Sequence, residues 1–216
     1  FDRYALLRRL GRSIHRKAAP RWTRQRCWEH ELFGLTYKHS SHLFDGFSRN
    51  KAYRGDLARC LIAHEHHASP CLYVDLDVCF MASLLPLCGE RGFTYRWEDF
   101  GFANSAILYL PDAASSEGLL RRGRQLECFL PWILFTDANC LALGLTVHPT
   151  RWFDPLWDTR SMLHGDPGKF FAPRANADAA LQELIAEGHL AVHWHNHWKT
   201  VPAADSLYSA LLRASR

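Results

Sequence analysis

Two carboxylates spaced i, i+2 end an apolar run in this chain, Cys71-Leu72-Tyr73-Val74-Asp75-Leu76-Asp77-Val78. A strand places i and i+2 on one face, so Asp75 and Asp77 are expected to point the same way as the strand leaves the core. Converging carboxylates repel one another unless a cation lies between them. A hard divalent ion, held by one or two carboxylates and by a ligand's phosphate oxygens, removes that repulsion. In open α/β sheets, ligands also bind beyond the carboxyl ends of strands. The stretch suggests a metal and nucleotide site. The plainer alternative is a solvated acidic turn after a buried strand.

Two further clusters could share that crevice. Asp56 and Arg59 stand one turn apart beside the apolar stripe Tyr53, Leu57, Cys60 and Leu61 of an expected helix over residues 52–66. They read either as a surface ion pair, worth little, or as a pair held at the mouth of the sheet against substrate. His193-Trp194-His195-Asn196-His197-Trp198 follows an expected strand over residues 190–194. Its three alternating histidines would share a strand face, and they could instead form a softer transition-metal site. His64-Glu65-His66-His67 reads as a solvated helix end.

Around these clusters, strands are expected at residues 32–37, 92–97, 104–110 and 146–149, and helices at 2–18, 114–128, 175–188 and 203–214. Thr136 and Asp137 read as a helix start. Residues 150–174, rich in Trp, Phe, Pro and Gly, read as an irregular loop long enough to be a functional lid. Alternating strands and helices predict an α/β domain with a mostly parallel sheet.

The 216 residues suffice for one domain, and 48% apolar with 22% charged residues is the composition of a chain with a core. No apolar run is long enough to cross a membrane, and the basic N-terminus lacks the apolar segment of a signal peptide. Seven Cys without a CxxC pair argue against a zinc knuckle and for a reduced, cytoplasmic protein. Residues 1–26 hold nine Lys/Arg against Asp2 alone, so the rest of the chain is net acidic. Such an arm suits an anionic surface, with peripheral contact at the inner membrane through residues 1–26. Nucleic acid is not expected, because no aromatic groove or finger motif accompanies the charge.

The motif order resembles the sugar-binding region of DXD-containing glycosyltransferases, which include α-mannosyl-, α-1,4-galactosyl- and α-N-acetylglucosaminyltransferases. The resemblance rests on Arg54-Gly55-Asp56-Leu57-Ala58-Arg59-Cys60-Leu61, then Leu72 to Val78, then Phe102-Ala103-Asn104-Ser105-Ala106-Ile107, then Ala191 to Lys199. It spans roughly residues 30–210 and implies a GT-A-like, Rossmann-like sheet flanked by helices over residues 21–216, behind a basic helix over residues 1–20. It implies a retaining transfer from a UDP- or GDP-sugar to a glycan, lipid or polysaccharide acceptor, with Mn²⁺ or Mg²⁺. By the same resemblance, Asp56 and Arg59 hold the donor sugar, Asp75 and Asp77 bind donor and metal, and His193 is a metal ligand. Asn196 and Trp198 lie near the diphosphate, and Asn104 near the reacting face of the sugar. Asp99 and Asp137 are the candidate nucleophiles.

The sequence departs from the family in four places. Ala68-Ser69-Pro70-Cys71 replaces a Gly-Gly turn, the helix-to-strand gap is longer and filled by His64 to His67, the closing motif blends two variants so that either His193 or His195 could be the metal ligand, and a basic helix stands where a base-binding strand is usual. Two other classes remain as alternatives, a non-catalytic sugar- or metal-binding relative and a haloacid-dehalogenase-like phosphatase.

Overall fold

The computed structural model describes residues 30–32, 35–37, 51–65, 70–98 and 100–215. Residues 1–55 and 56–216 form two compact units. The basic helix expected over residues 1–20, the turn at Ala68-Ser69 and Asp99 lie outside the described residues. In the first unit, β1 (His30–Leu32) and β2 (Leu35–Tyr37) pair antiparallel, so the expected single strand over residues 32–37 is part of a hairpin. Helix α1 (Lys51–Glu65) follows, close to its expected bounds.

The second unit is built on a four-stranded sheet ordered β3-β6-β5-β7, comprising β3 (Cys71–Val74), β6 (Ala103–Leu110), β5 (Phe93–Arg96) and β7 (Thr146–His148). All eight residues of β6 are buried, as expected of a strand covered on both faces. The sheet is mixed rather than mostly parallel. β3 and β5 both run antiparallel to β6, and only β5 and β7 are parallel. The reason is connection length. Six residues join β5 to β6, room for a reversal only, whereas a long helical crossover leads from β6 to β7.

That crossover carries α2 (Ala113–Gln125), α3 (Pro131–Leu134) and α4 (Asp137–Ala142). Asp112 caps α2 by accepting from the Ser115 N–H at 2.8 Å, and Thr136 caps α4 by accepting from that of Asn139. In the basic patch on α2, Arg122 donates from Nε and Nη2 to Oδ1 of buried Asn139, so it ties α2 to α4.

A two-stranded ribbon pairs β4 (Val78–Phe80) with β8 (Ala191–His193), Val78 opposite His193. Helices α6 (Ala177–Ala186) and α7 (Leu207–Ala214) lie near β8. Gly188, at φ +87°, takes the left-handed turn after α6 that any side chain would strain. Leu181, Leu184, Leu207 and Ala210 of these helices pack with Val192 and Trp194 into one core cluster. Trp194 stacks on Phe170, ring centroids 6.4 Å apart, and meets Phe171 edge-on.

Residues 150–174 contribute to that core and, through Phe153, to the cluster of Phe93 and Tyr95 instead of forming a lid. They hold α5 (Thr150–Phe153) and 3₁₀ turns at Pro155–Trp157 and Pro167–Phe170. Phe153, Leu156, Leu163, Phe170 and Phe171 are all buried. The aromatic content that suggested a loop is core volume, and Pro155 and Pro167 open the short turns.

Candidate functional site

Asp75 and Asp77 do not sit on a strand. β3 stops at Val74, and Asp75-Leu76-Asp77 is the turn by which the chain passes from the sheet to the ribbon, closed by the Val78 N–H donating to Asp75 O at 3.2 Å. Backbone pairing holds the turn at both ends. The Asp75 N–H donates to Ala106 O at 2.7 Å, and the Trp194 N–H to Asp77 O at 3.0 Å. Two sets of strands therefore aim the two carboxylates, each at a different cluster.

Asp75 faces α1. Arg59 donates to Asp75 Oδ1 from Nε at 2.9 Å and to Oδ2 from Nη2, a two-pronged pair. Its Nη1 donates to Asp56 and, at 3.0 Å, to Ser105 Oγ. The Tyr73 hydroxyl donates to Asp75 Oδ1 at 2.8 Å. The two clusters expected from sequence are thus one, with one guanidinium between two carboxylates. Burial pushes the Asp56 carboxyl up to about 7; Arg59 opposes the rise and Asp75 adds to it.

Asp77, buried, faces β8. Its Oδ2 accepts the Asn196 backbone N–H at 2.8 Å and lies 3.4 Å from His193 Nε2. Burial alone would raise the Asp77 carboxyl, but the His193 ring and the Asn196 N–H outweigh it and hold the group below the usual carboxylate range. The other ring nitrogen, Nδ1, lies 2.9 Å from the Tyr95 hydroxyl. Buried Tyr95 finds its polar partner there and fixes the ring's orientation.

His195 is not aligned with His193 by strand alternation, because β8 ends at His193. His195 and Asn196 adopt left-handed φ values of 48° and 65° and turn the chain back. The His195 ring stacks on His193 at 4.0 Å between centroids, and its Nε2 lies 2.8 Å from Asp154 Oδ2. Two successive non-glycine residues in this region cost about 1–3 kcal/mol each, a pattern that clusters at functional sites. His197 is not drawn into the cluster among the described residues; its backbone N–H donates to Trp194 O.

The turn, α1 and β8 gather Asp56, Arg59, Asp75, Asp77, His193 and the Asn196 backbone. Asp75, Asp77 and His193 could hold a metal ion, each offering one ligand atom within 4.8 Å of the others. Trp198 is partly exposed and donates from Nε1 to Asn196 Oδ1 at 3.0 Å. Asn104 is buried in β6. Its Oδ1 accepts the Ala106 N–H at 2.9 Å, and its Nδ2 has no hydrogen-bond partner among the described residues. Asp137 lies in the first turn of α4, exposed and paired with Arg96.

Sequence reasoning missed Tyr73, Tyr95, Ser105 and Asp154. Asp154 carried a signal, since an acid inside Trp152-Phe153-Asp154-Pro155-Leu156-Trp157 is a charge in an apolar run. Among the described residues no helix is long and apolar enough to cross a membrane. The chain matches no family model, no curated protein and no solved structure.

Proposed function

We propose that the chain is a metal-dependent glycosyltransferase with a GT-A-like fold that moves a sugar, with retention, from a nucleotide-sugar donor to a glycan or lipid-linked acceptor. The observation that carries this reading is the convergence of three motifs far apart in sequence on the Asp75–Asp77 turn. Asp75 and Asp77 outnumber Arg59, with Asp56 adding charge only as it loses its proton at about pH 7, so the cluster attracts a cation, and its carboxylate oxygens and one imidazole suit Mn²⁺ or Mg²⁺. Each carboxylate oxygen has two acceptor positions, so Asp75 can keep Arg59 and still offer an oxygen.

On this reading Asp77 and His193, with Asp75, hold the ion, and Tyr95 and the Asn196 N–H orient those two ligands. When bound, the ion supplies positive charge that stabilises the departing diphosphate. Asp56 and Arg59 hold the donor sugar by its hydroxyls, with Ser105 and Tyr73 fixing Arg59 and Asp75 in turn. Asn104 supports β6 beneath the sugar through Oδ1, which accepts the Ala106 N–H. Trp198 and Asn196 flank the diphosphate.

A haloacid-dehalogenase-like phosphatase fits less well. That chemistry needs an aspartate free to attack, and Arg59 with Tyr73 leaves Asp75 one acceptor position, at Oδ2, which can serve a cation but which the adjoining guanidinium makes a weak nucleophile. The test is release of nucleoside diphosphate from a panel of UDP- and GDP-sugars with Mn²⁺, Mg²⁺ or chelator. Release by one donor class that needs the metal and falls at least tenfold in Asp77→Asn supports the reading. Hydrolysis of a generic phosphomonoester, without action on any nucleotide sugar, contradicts it.

A further inference from the structure

We propose that Asp154, His193 and His195 form a second metal site, for a borderline transition ion of the zinc class, on the opposite side of the His193 ring from Asp77. This inference needs no nucleotide, and it makes the two sites alternatives at His193, whose neutral ring has one lone pair to give either to the Asp75/Asp77 ion through Nε2 or to this one through Nδ1. His193 presents its two nitrogens to different neighbours. Nε2 lies 3.4 Å from Asp77 Oδ2, whereas Nδ1 lies 3.7 Å from Asp154 Oδ2. His195 Nε2 lies 2.8 Å from that same oxygen. The three ligand atoms lie within 4.8 Å of one another. An ion bonded at about 2.1 Å to each of its tetrahedral ligands sets them about 3.4 Å apart, so the observed spacings bracket the requirement.

A second, independent observation points the same way. Asp154 is 0% exposed, yet its Oδ1 has no hydrogen-bond partner among the described residues. A buried carboxylate oxygen left unpaired is costly. A bound cation would satisfy it, by direct ligation or by the charge at its sister oxygen. Two imidazoles and one carboxylate are a donor set for zinc-class ions, while the oxygen-richer Asp75/Asp77 side suits a hard ion.

Loading has two structural consequences. The stacked rings, inclined at 27°, must turn apart to aim both lone pairs at one ion, and His195, the more exposed of the two, is the one free to turn. His193 Nδ1 must also give up the Tyr95 hydroxyl. A neutral imidazole has one lone pair, so ligation at Nδ1 leaves the proton on Nε2, where it faces Asp77.

The experiment is a Co²⁺ titration of the full chain freed of any affinity tag, followed by visible absorption and reversed with Zn²⁺. Four-coordinate Co²⁺ with nitrogen ligands absorbs far more strongly than the six-coordinate, oxygen-rich ion. The wild type is expected to develop a strong band that saturates at one equivalent and is abolished by Zn²⁺. His195→Gln and Asp154→Asn should each weaken binding more than about tenfold, with circular dichroism confirming the fold. Asp75→Asn should keep the band. His195→Gln, partly exposed, guards against an Asp154→Asn variant that fails to fold. Absence of the band in the wild type overturns the proposal. So does a band that survives His195→Gln, or one lost in Asp75→Asn while circular dichroism reports a native fold. Absence of nucleotide-sugar turnover from protein not loaded with Co²⁺ or Zn²⁺, with the band intact on loading, would count against the proposed function alone.

Discussion

Arg59 is the side chain that ties Asp56 to Asp75. Its planar guanidinium reaches Asp56, Asp75 and Ser105 at once, which a lysine cannot do. Arg59→Lys keeps the charge and loses the fork, so nucleotide-sugar affinity should fall at least tenfold by titration calorimetry, with Mn²⁺ binding far less affected. Asp56 offers a pH test. Its carboxyl is raised to about 7 in the fold against an ordinary value near 4. Between those values the unfolded chain releases this proton and the folded chain keeps it, so this group's contribution to stability falls as pH rises from about 4 to about 7. Asp77, held low, acts with the opposite sign, and its contribution is lost as pH falls through the acid range. Melting temperature followed against pH should therefore drop less between pH 4 and 7 in Asp56→Asn than in the wild type. An unchanged slope would show that Asp56 ionises normally in the fold. At this scale much was legible. Acid and base types at helical and i, i+2 spacings marked Asp56, Arg59, Asp75 and Asp77. Tyr95 was not, because nothing in Phe93-Thr94-Tyr95-Arg96 distinguishes a tyrosine that orients a histidine from one that fills a core.

The elements explain why the two carboxylates diverge. A strand through Asp77 would have kept both on one face. Because β3 ends at Val74, one carboxylate is left to α1 and the other to β8. Strand periodicity was readable in Cys71–Val74, but the turn was not, since the bonds that anchor its ends come from Ala106 of β6 and from Trp194 just past β8, remote in sequence. The same remoteness hid the ribbon and the direction of the sheet. Residues 150–174 were misread because aromatic and proline content alone does not separate core from loop. Two substitutions test this level. A Cβ on Gly92 would sit 2.7 Å from Leu145 Cδ2 and 2.8 Å from the Tyr109 carbonyl oxygen. The backbone there cannot yield cheaply, so Gly92→Ala should cost about 1–3 kcal/mol in denaturant unfolding. Asn196 sits at φ 65° with its N–H on Asp77. Asn196→Gly should keep metal binding, and Asn196→Val should weaken it by straining the turn that aims this N–H. Equal behaviour of the two would mean that the backbone conformation is dispensable.

Charge and site separate along the sequence. The acidic cluster lies in residues 56–216, while the excess of Lys/Arg lies in residues 1–26, outside the described structure. Removing residues 1–20 should reduce sedimentation with anionic vesicles, most clearly at low salt, and leave nucleotide affinity unchanged. Composition made the basic arm legible; its structure was not needed for that expectation. The central claim is that Asp77 helps to hold an ion which in turn holds a nucleotide sugar. Thermal unfolding of wild type and Asp77→Asn with UDP- and GDP-sugars, each with and without Mn²⁺, tests it most directly. Stabilisation of the wild type by one donor class is expected only when Mn²⁺ is present, by several degrees at saturating ligand, and none in Asp77→Asn. Equal stabilisation of both proteins, or stabilisation of the wild type that ignores the metal, would contradict it.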